Sequence, residues 1–171
     1  MSKYRQFKGD KTLTFGKLYG YKNLLAWQAA DELAAEIHAA VVGFGPRYYK
    51  LSSQMLGSAS SVKANIAEGY CRNALGDYIR FCEIARGSLG ELGSQLQDCE
   101  RWQLLDGQLL DHLLPIFRDT TFMLENLIKG LRAKREAGDW DRSLQAREPV
   151  AEYLAEDADI SYTPPDSQSP T

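Results

Sequence analysis

Apolar residues recur every three or four positions in four stretches of this 171-residue chain, and no stretch alternates strictly as a half-buried strand would. Trp27, Ala30, Leu33, Ile37, Val41 and Phe44 form the first stripe, which "GFGPR" at 43–47 stops because two glycines and a proline continue a helix only at a cost. Tyr48, Leu51, Met55, Ala59, Val62 and Ile66 form the second. Tyr78, Phe81, Ala85, Leu89, Leu92, Leu96 and Cys99 form the third, with Asn73 upstream as the expected N-cap. Leu110, Leu113, Phe117, Thr121, Leu124, Ile128 and Leu131 form the fourth. Short connectors make neighbouring helices antiparallel, so the pattern predicts an all-α, up-down-up-down four-helix bundle. Pro115 predicts either a kink in the fourth helix or a late start after a separate turn at "DGQLLDH".

Charge divides the chain into three. Residues 1–22 carry six Lys/Arg and one Asp, 23–135 carry twelve basic and thirteen acidic residues, and 136–171 carry two and nine; the net charges are +5, −1 and −7. The sequence therefore predicts a flexible basic arm interleaved with aromatics (1–22), a bundle (23–135) and an acidic, largely irregular tail (136–171) with a short helix around 149–157. No apolar run reaches the ~18 residues of a membrane span, and the N-terminus lacks the apolar core of a signal peptide, so the expected location is the cytoplasm. Cys71, Cys82 and Cys99 form no Cys-x-x-Cys pair and read as small, reduced core or interface residues.

"SSVKANIAEGYCRN" at 60–73 sets an amide, a carboxylate and a glycine inside a helical run. Glu68 and Arg72 have the spacing of a helical ion pair, and Gly69 suits close helix approach or a left-handed cap. Asn65 and Glu68 could instead bind backbone amides at the start of the third helix. Gly87, Gly90 and Gly93 cost about 1 kcal/mol each against alanine, so an offsetting close contact is expected, within the bundle or between subunits. "GSLGELG" lacks the preceding strand and following lysine of a phosphate loop. His38 and His112 lie on different helices with no nucleophile at a recognisable spacing and no Glu-x-x-His motif, so no catalytic residue, metal or cofactor is assigned and no enzyme is expected.

"NIAEG" at 65–69 followed by "IARGSLGELGSQL" at 84–96, with "LLAWQAADEL" at 24–33 and "FGPRYYKLSSQ" at 44–54, resembles the four-helix-bundle family encoded in intervening sequences of bacterial 23S ribosomal RNA genes. The resemblance covers about residues 24–131. It implies a ring-like homo-oligomer, commonly a pentamer, and a likeness to accessory proteins of diversity-generating retroelements, which bind nucleic acid and a reverse transcriptase. This chain departs from the family where two arginines usually follow the glutamine matched by Gln54: Leu56 and Gly57 stand there, so any phosphate-binding role of that pair does not carry over. Lys63 also replaces the family's common proline.

The expected function is that of a non-enzymatic homo-oligomeric accessory protein binding RNA, DNA or a nucleic-acid-processing enzyme, with a purely protein-binding scaffold as the alternative. The candidate nucleic-acid contacts are Lys3, Arg5, Lys8, Lys11, Lys17, Lys22, Arg47, Lys50, Lys63 and Arg72, because lysines among aromatics contact phosphates and stack on bases. In a pentamer the arm charge would reach roughly +25, adding avidity to weak contacts. Asn65, Glu68, Gly69, Gly87, Gly90 and Gly93 are the candidate packing or assembly residues.

Overall fold

The computed structural model describes residues 20–72, 74–138 and 140. The arm residues Lys3, Arg5, Lys8, Lys11 and Lys17, and almost the whole acidic tail with the short helix expected around 149–157, lie outside them, as does Asn73; the N-cap position of the third helix falls on Ala74 rather than on Asn73. A 3-10 turn, Gly20–Asn23, precedes four helices: α1 (Leu25–Val41), α2 (Tyr49–Cys71), α3 (Leu75–Arg101) and α4 (Gly107–Ala137). No strand occurs among the described residues. The 3-10 turn crosses the expected boundary between arm and bundle.

The four helices enclose one core. Each of α1 and α3 packs on both α2 and α4, and the backbones of the two diagonal pairs, α1 with α3 and α2 with α4, stand farther apart. On the α2–α3 seam Met55 meets Cys99 and Gly69 meets Tyr78; between α1 and α4 Ala29 meets Thr120 and Glu36 meets His112; between α3 and α4 Glu83 meets Arg132 and Gly93 meets Phe117. Along each of these three pairs, numbers rise on one helix as they fall on the other. Asp31 and Lys63 tie α1 to α2.

Most predicted stripe residues are buried: Leu33, Ile37, Met55, Val62, Ile66, Leu92, Leu113, Leu124 and Ile128 are each at most 1% exposed. In the middle of the fourth stripe burial moves by one position, from Phe117 and Thr121 to Ile116 and Thr120. Thr120, not Thr121, is buried, its hydroxyl donating to Ile116 O at 2.8 Å and Ala29 O at 3.2 Å, and Ile116 joins the core beside it. A buried hydroxyl needs such acceptors, and α4's own carbonyl supplies one locally. Cys82 and Cys99 are core residues, as expected, and burial pushes their thiols up to about 12 and about 11, so neither is a thiolate at neutral pH. Cys71 is exposed.

Pro115 does not delay α4. The helix starts at Gly107, where the Asp106 carboxylate accepts from Leu109 N at 2.8 Å, and runs on through the proline. Pro115 stands on the exposed side, where water can reach the carbonyl one turn back that its missing N–H leaves without a partner. At the other end Gly138 takes φ 66°, a left-handed cap that glycine adopts without strain.

The α3–α4 turn achieves the same geometry with an unsuited residue. Gln103 has φ 55°, its N–H bonds Glu100 O at 3.1 Å, and Leu104 N bonds Cys99 O at 2.9 Å, the bonding pattern of a helix end normally closed by glycine. Leu104 packs on the core and Leu105 is buried, which holds the turn against this strain. Gln103→Gly should therefore stabilise the protein by about 0.5–1 kcal/mol, raising the urea midpoint without changing the slope of the transition.

Arg132 on α4 donates to Glu83 on α3 at 2.6 Å. That hydrogen bond first, then the charges of Arg132, Arg86 and Arg135, hold the Glu83 carboxyl below its ordinary 4.5. A depressed folded value adds stability that is fully present above the unfolded value and fades as pH falls through the folded one. Glu83→Gln should flatten the fall in melting temperature below about pH 4.5 while changing little in salt at neutral pH, where an exposed pair contributes little.

Candidate nucleic-acid interface

The five described candidate cations fall at the two ends of the bundle and, in Lys63, at one point between. Tyr21 lies 5.2 Å from Trp27 and 6.5 Å from Tyr70, and Tyr70 lies 6.2 Å from Tyr78, ring centre to ring centre. These rings wall the 3-10 turn onto α1 and α2, with Tyr78 of α3 backing Tyr70. Gly20 lies against the Tyr70 ring with no room for a β-carbon, and Gln28 donates to Lys22 O at 2.7 Å. The arm's attachment, Lys22 included, is thus clamped to the end of the bundle where α2 gives way to α3 and α4 finishes. Arg80, Lys134 and Arg135 are exposed at that end and form no ion pair among the described residues.

Arg47 and Lys50 stand at the opposite end, where Pro46–Tyr48 leads into α2. Arg47 lies over the Tyr48 ring at 5.0 Å, with Tyr49 76% exposed beside it. Trp102, half exposed, closes α3 at the same end. Cations next to aromatic faces suit stacking on an unpaired base.

Two of the expected contacts are engaged inside the protein. Lys63 holds Asp31 at 2.7 Å, tying α2 to α1, and Arg72 pairs with Glu68 while its guanidinium sits 4.9 Å over the Phe81 ring. The structure therefore separates the ten candidates: those described are Lys22 at one end, Arg47 and Lys50 at the other, and Lys63 and Arg72 in ion pairs.

The "NIAEG" group has a structural account. Asn65 donates to Ser61 O at 2.8 Å and to Ser61 Oγ at 3.0 Å, and Ser61 Oγ lies 2.8 Å from Ser88 Oγ on α3. A polar chain thus bridges α2 and α3. Glu68 faces Arg72, and Asn65 faces Ser61, so neither binds the amides at the start of α3. Gly69 is buried, and a β-carbon there would meet Tyr78 Cδ2 at 2.8 Å, Phe81 Cβ at 3.0 Å and Tyr78 O at 3.2 Å.

The three α3 glycines part company. Gly93 faces the Phe117 ring tip, 2.9 Å from where its β-carbon would stand, whereas Gly87 and Gly90 are exposed with open space around them. Three residues advance an α-helix by about 300°, so Gly87 and Gly93 point some 120° apart and cannot share one contact. Packing inside the bundle therefore does not explain Gly87 or Gly90.

Apolar periodicity does not single out Leu114 and Phe122 on α4, which are 39% and 62% exposed. With Phe117, Arg118, Thr121 and Glu125 they line a surface hollow of about 500 Å³. The signal that marks them is their phase, since both stand off the buried stripe. Among the described residues no group of His, Cys, Asp and Glu is placed to hold a metal, and no helix is long and apolar enough to cross a membrane.

Gly69→Ala should cost about 1–3 kcal/mol, because backbone and a β-carbon cannot swing aside. Gly90→Ala should stabilise the protomer by up to about 1 kcal/mol through helix propensity alone. Urea unfolding of the two variants checks the contrast.

No curated protein matches the sequence. Residues 22–126, from the arm's attachment into the second half of α4, match the family described as 23S rRNA-intervening sequence protein. The match takes in more than half of the chain, including the α2–α3 seam, and the protein accordingly belongs to the 23S rRNA-intervening sequence protein family.

Proposed function

We propose that this protein is a cytoplasmic, non-enzymatic, homo-oligomeric accessory protein. Its antiparallel up-down-up-down bundle delivers a basic arm to nucleic acid, or to a nucleic-acid-processing enzyme such as a reverse transcriptase while that enzyme holds its template. The observation that carries the reading is the clamped attachment of the arm. Residues 1–19 bring five Lys/Arg against one Asp, and they join the bundle at the end where Arg80, Lys134 and Arg135 are exposed. Arm and end together make one positive region, while Lys63 and Arg72 are already engaged by carboxylates of a body whose net charge is −1. Phosphate binding of this sort needs no pocket, only cations held near one another. Membership of the family agrees with it, and assembly would multiply the arms and let weak interactions add.

A full-length variant with Lys3, Arg5, Lys8, Lys11 and Lys17 all changed to alanine tests it by gel shift on structured RNA and duplex DNA across salt. Affinity at low salt should fall at least tenfold, and the dependence of log K on log salt should flatten by about 0.9 for each duplex phosphate that the arm no longer neutralises. Unchanged affinity and slope, or no binding by the parent even at low salt, would overturn the reading. A protein partner retained by the parent after nuclease treatment, with no shift of either nucleic acid, would favour the scaffold instead.

A further inference from the structure

Two exposed faces of the protomer match each other in size and charge. On α4, Leu114, Arg118, Phe122 and Glu125 make a ridge, a row of large exposed side chains that line the 500 Å³ hollow, Glu125 lying 3.7 Å from Arg86 of α3, with exposed Asp111 before the row and Lys129 beyond it. On α2, Ser53, Gly57, Ser60 and Ala64 make an exposed strip of small residues, with exposed Lys50 before it and Glu68 beyond it. Nothing lies within 4 Å of a β-carbon at Gly57, so the strip is open.

The spacings agree. Asp111 to Lys129 and Lys50 to Glu68 both span 18 positions, about 27 Å of helix. Laid parallel from Asp111 against Lys50, Leu114 falls opposite Ser53, Arg118 opposite Gly57, Phe122 beside Ser60 and Glu125 opposite Ala64. Large side chains thus meet small ones along the whole length, the packing of ridges into grooves; Asp111 meets Lys50 at one end, and at the other Lys129 meets Glu68, whose carboxylate also holds Arg72.

Direction agrees as well. α2 and α4 occupy opposite corners of the bundle, and each runs counter to α3, so within one protomer they run the same way. A rotation about an axis along the bundle keeps α4 of one copy parallel to α2 of the next, and two different faces meeting in this way close into a ring when the rotation divides a full turn without a rise.

We propose that a second copy of this chain occupies the α4 ridge, seating its α2 strip there in parallel, head to tail around a ring. This rests on the homo-oligomeric reading above and names the interface that makes the oligomer.

Complementation between blocked copies tests it. Phe122→Glu spoils the ridge and leaves the strip; Gly57→Arg fills the strip and leaves the ridge. Both positions are exposed, so circular dichroism should show parental helix content. By light scattering the parent should weigh a multiple of 19.2 kDa, and each full-length variant a single protomer. Mixed, the two variants should give a dimer and nothing larger, since one sound ridge meets one sound strip and the remaining faces are both blocked. Lys50→Glu should weaken assembly about tenfold and Asp111→Lys in the same chain should restore it, a rescue that works even where a blocked variant folds poorly. Variants that keep the parental mass, a mixture that stays monomeric, or failed charge rescue would overturn the α4-on-α2 interface while leaving assembly standing. A parent of single-protomer mass at every concentration would overturn both.

Discussion

Close approach of α2 and α3 is the constraint on which the other parts of the molecule rest. Gly69 lets α2 lie against the Tyr78 backbone, and about two turns earlier on α2 the Ser61–Ser88 hydrogen bond crosses the same seam, with Asn65 completing its chain. Farther along, Met55 and Cys99 meet sulfur to sulfur at 3.5 Å, both fully buried. A seam this tight requires small residues at the crossing and tolerates little added volume. It stands Tyr78 and Tyr70 side by side, and those rings are the wall on which the Gly20–Asn23 turn is held. The arm's attachment is thus a consequence of how two helices fit.

Charge follows the same logic of location. The ion pairs of Lys63, Arg72, Arg86 and Arg132 join helix to helix or turn to turn across partly exposed surface, where each contributes at most about 1 kcal/mol. They engage Lys63, Arg72, Arg86 and Arg132 within the bundle, while Arg80, Lys134 and Arg135 stay exposed at the end that receives the arm. The far end differs in kind: Arg47 on Tyr48, with Tyr49 and Trp102 exposed, offers flat rings beside cations.

Much of this is legible in the residues. Apolar periodicity marks all four helices, because burying one face of a helix imposes a spacing that no other local structure shares. It errs by one position on α4, where Thr121 stands in for Thr120: a threonine is buried or exposed according to whether its hydroxyl finds an acceptor, and Ala29 O belongs to another helix. Pro115 reads as a kink or a late start because its local cost is fixed, while the solvent-facing position that makes the cost bearable depends on where the core lies. Phe122 escapes notice for the opposite reason, since a stripe describes what is buried and says nothing of an apolar residue left outside.

The chain by itself determined the four helices of the described residues and the uneven distribution of charge, because periodicity and net charge are properties of residues in order. Only the tertiary structure decided that Lys63 and Arg72 are engaged, that Gly69 and Gly93 face rings while Gly87 and Gly90 face open space, and that the α4 ridge and α2 strip stand at opposite corners. Each of those outcomes depends on distances between residues far apart in sequence, and such distances exist only once the four buried faces have closed on one another.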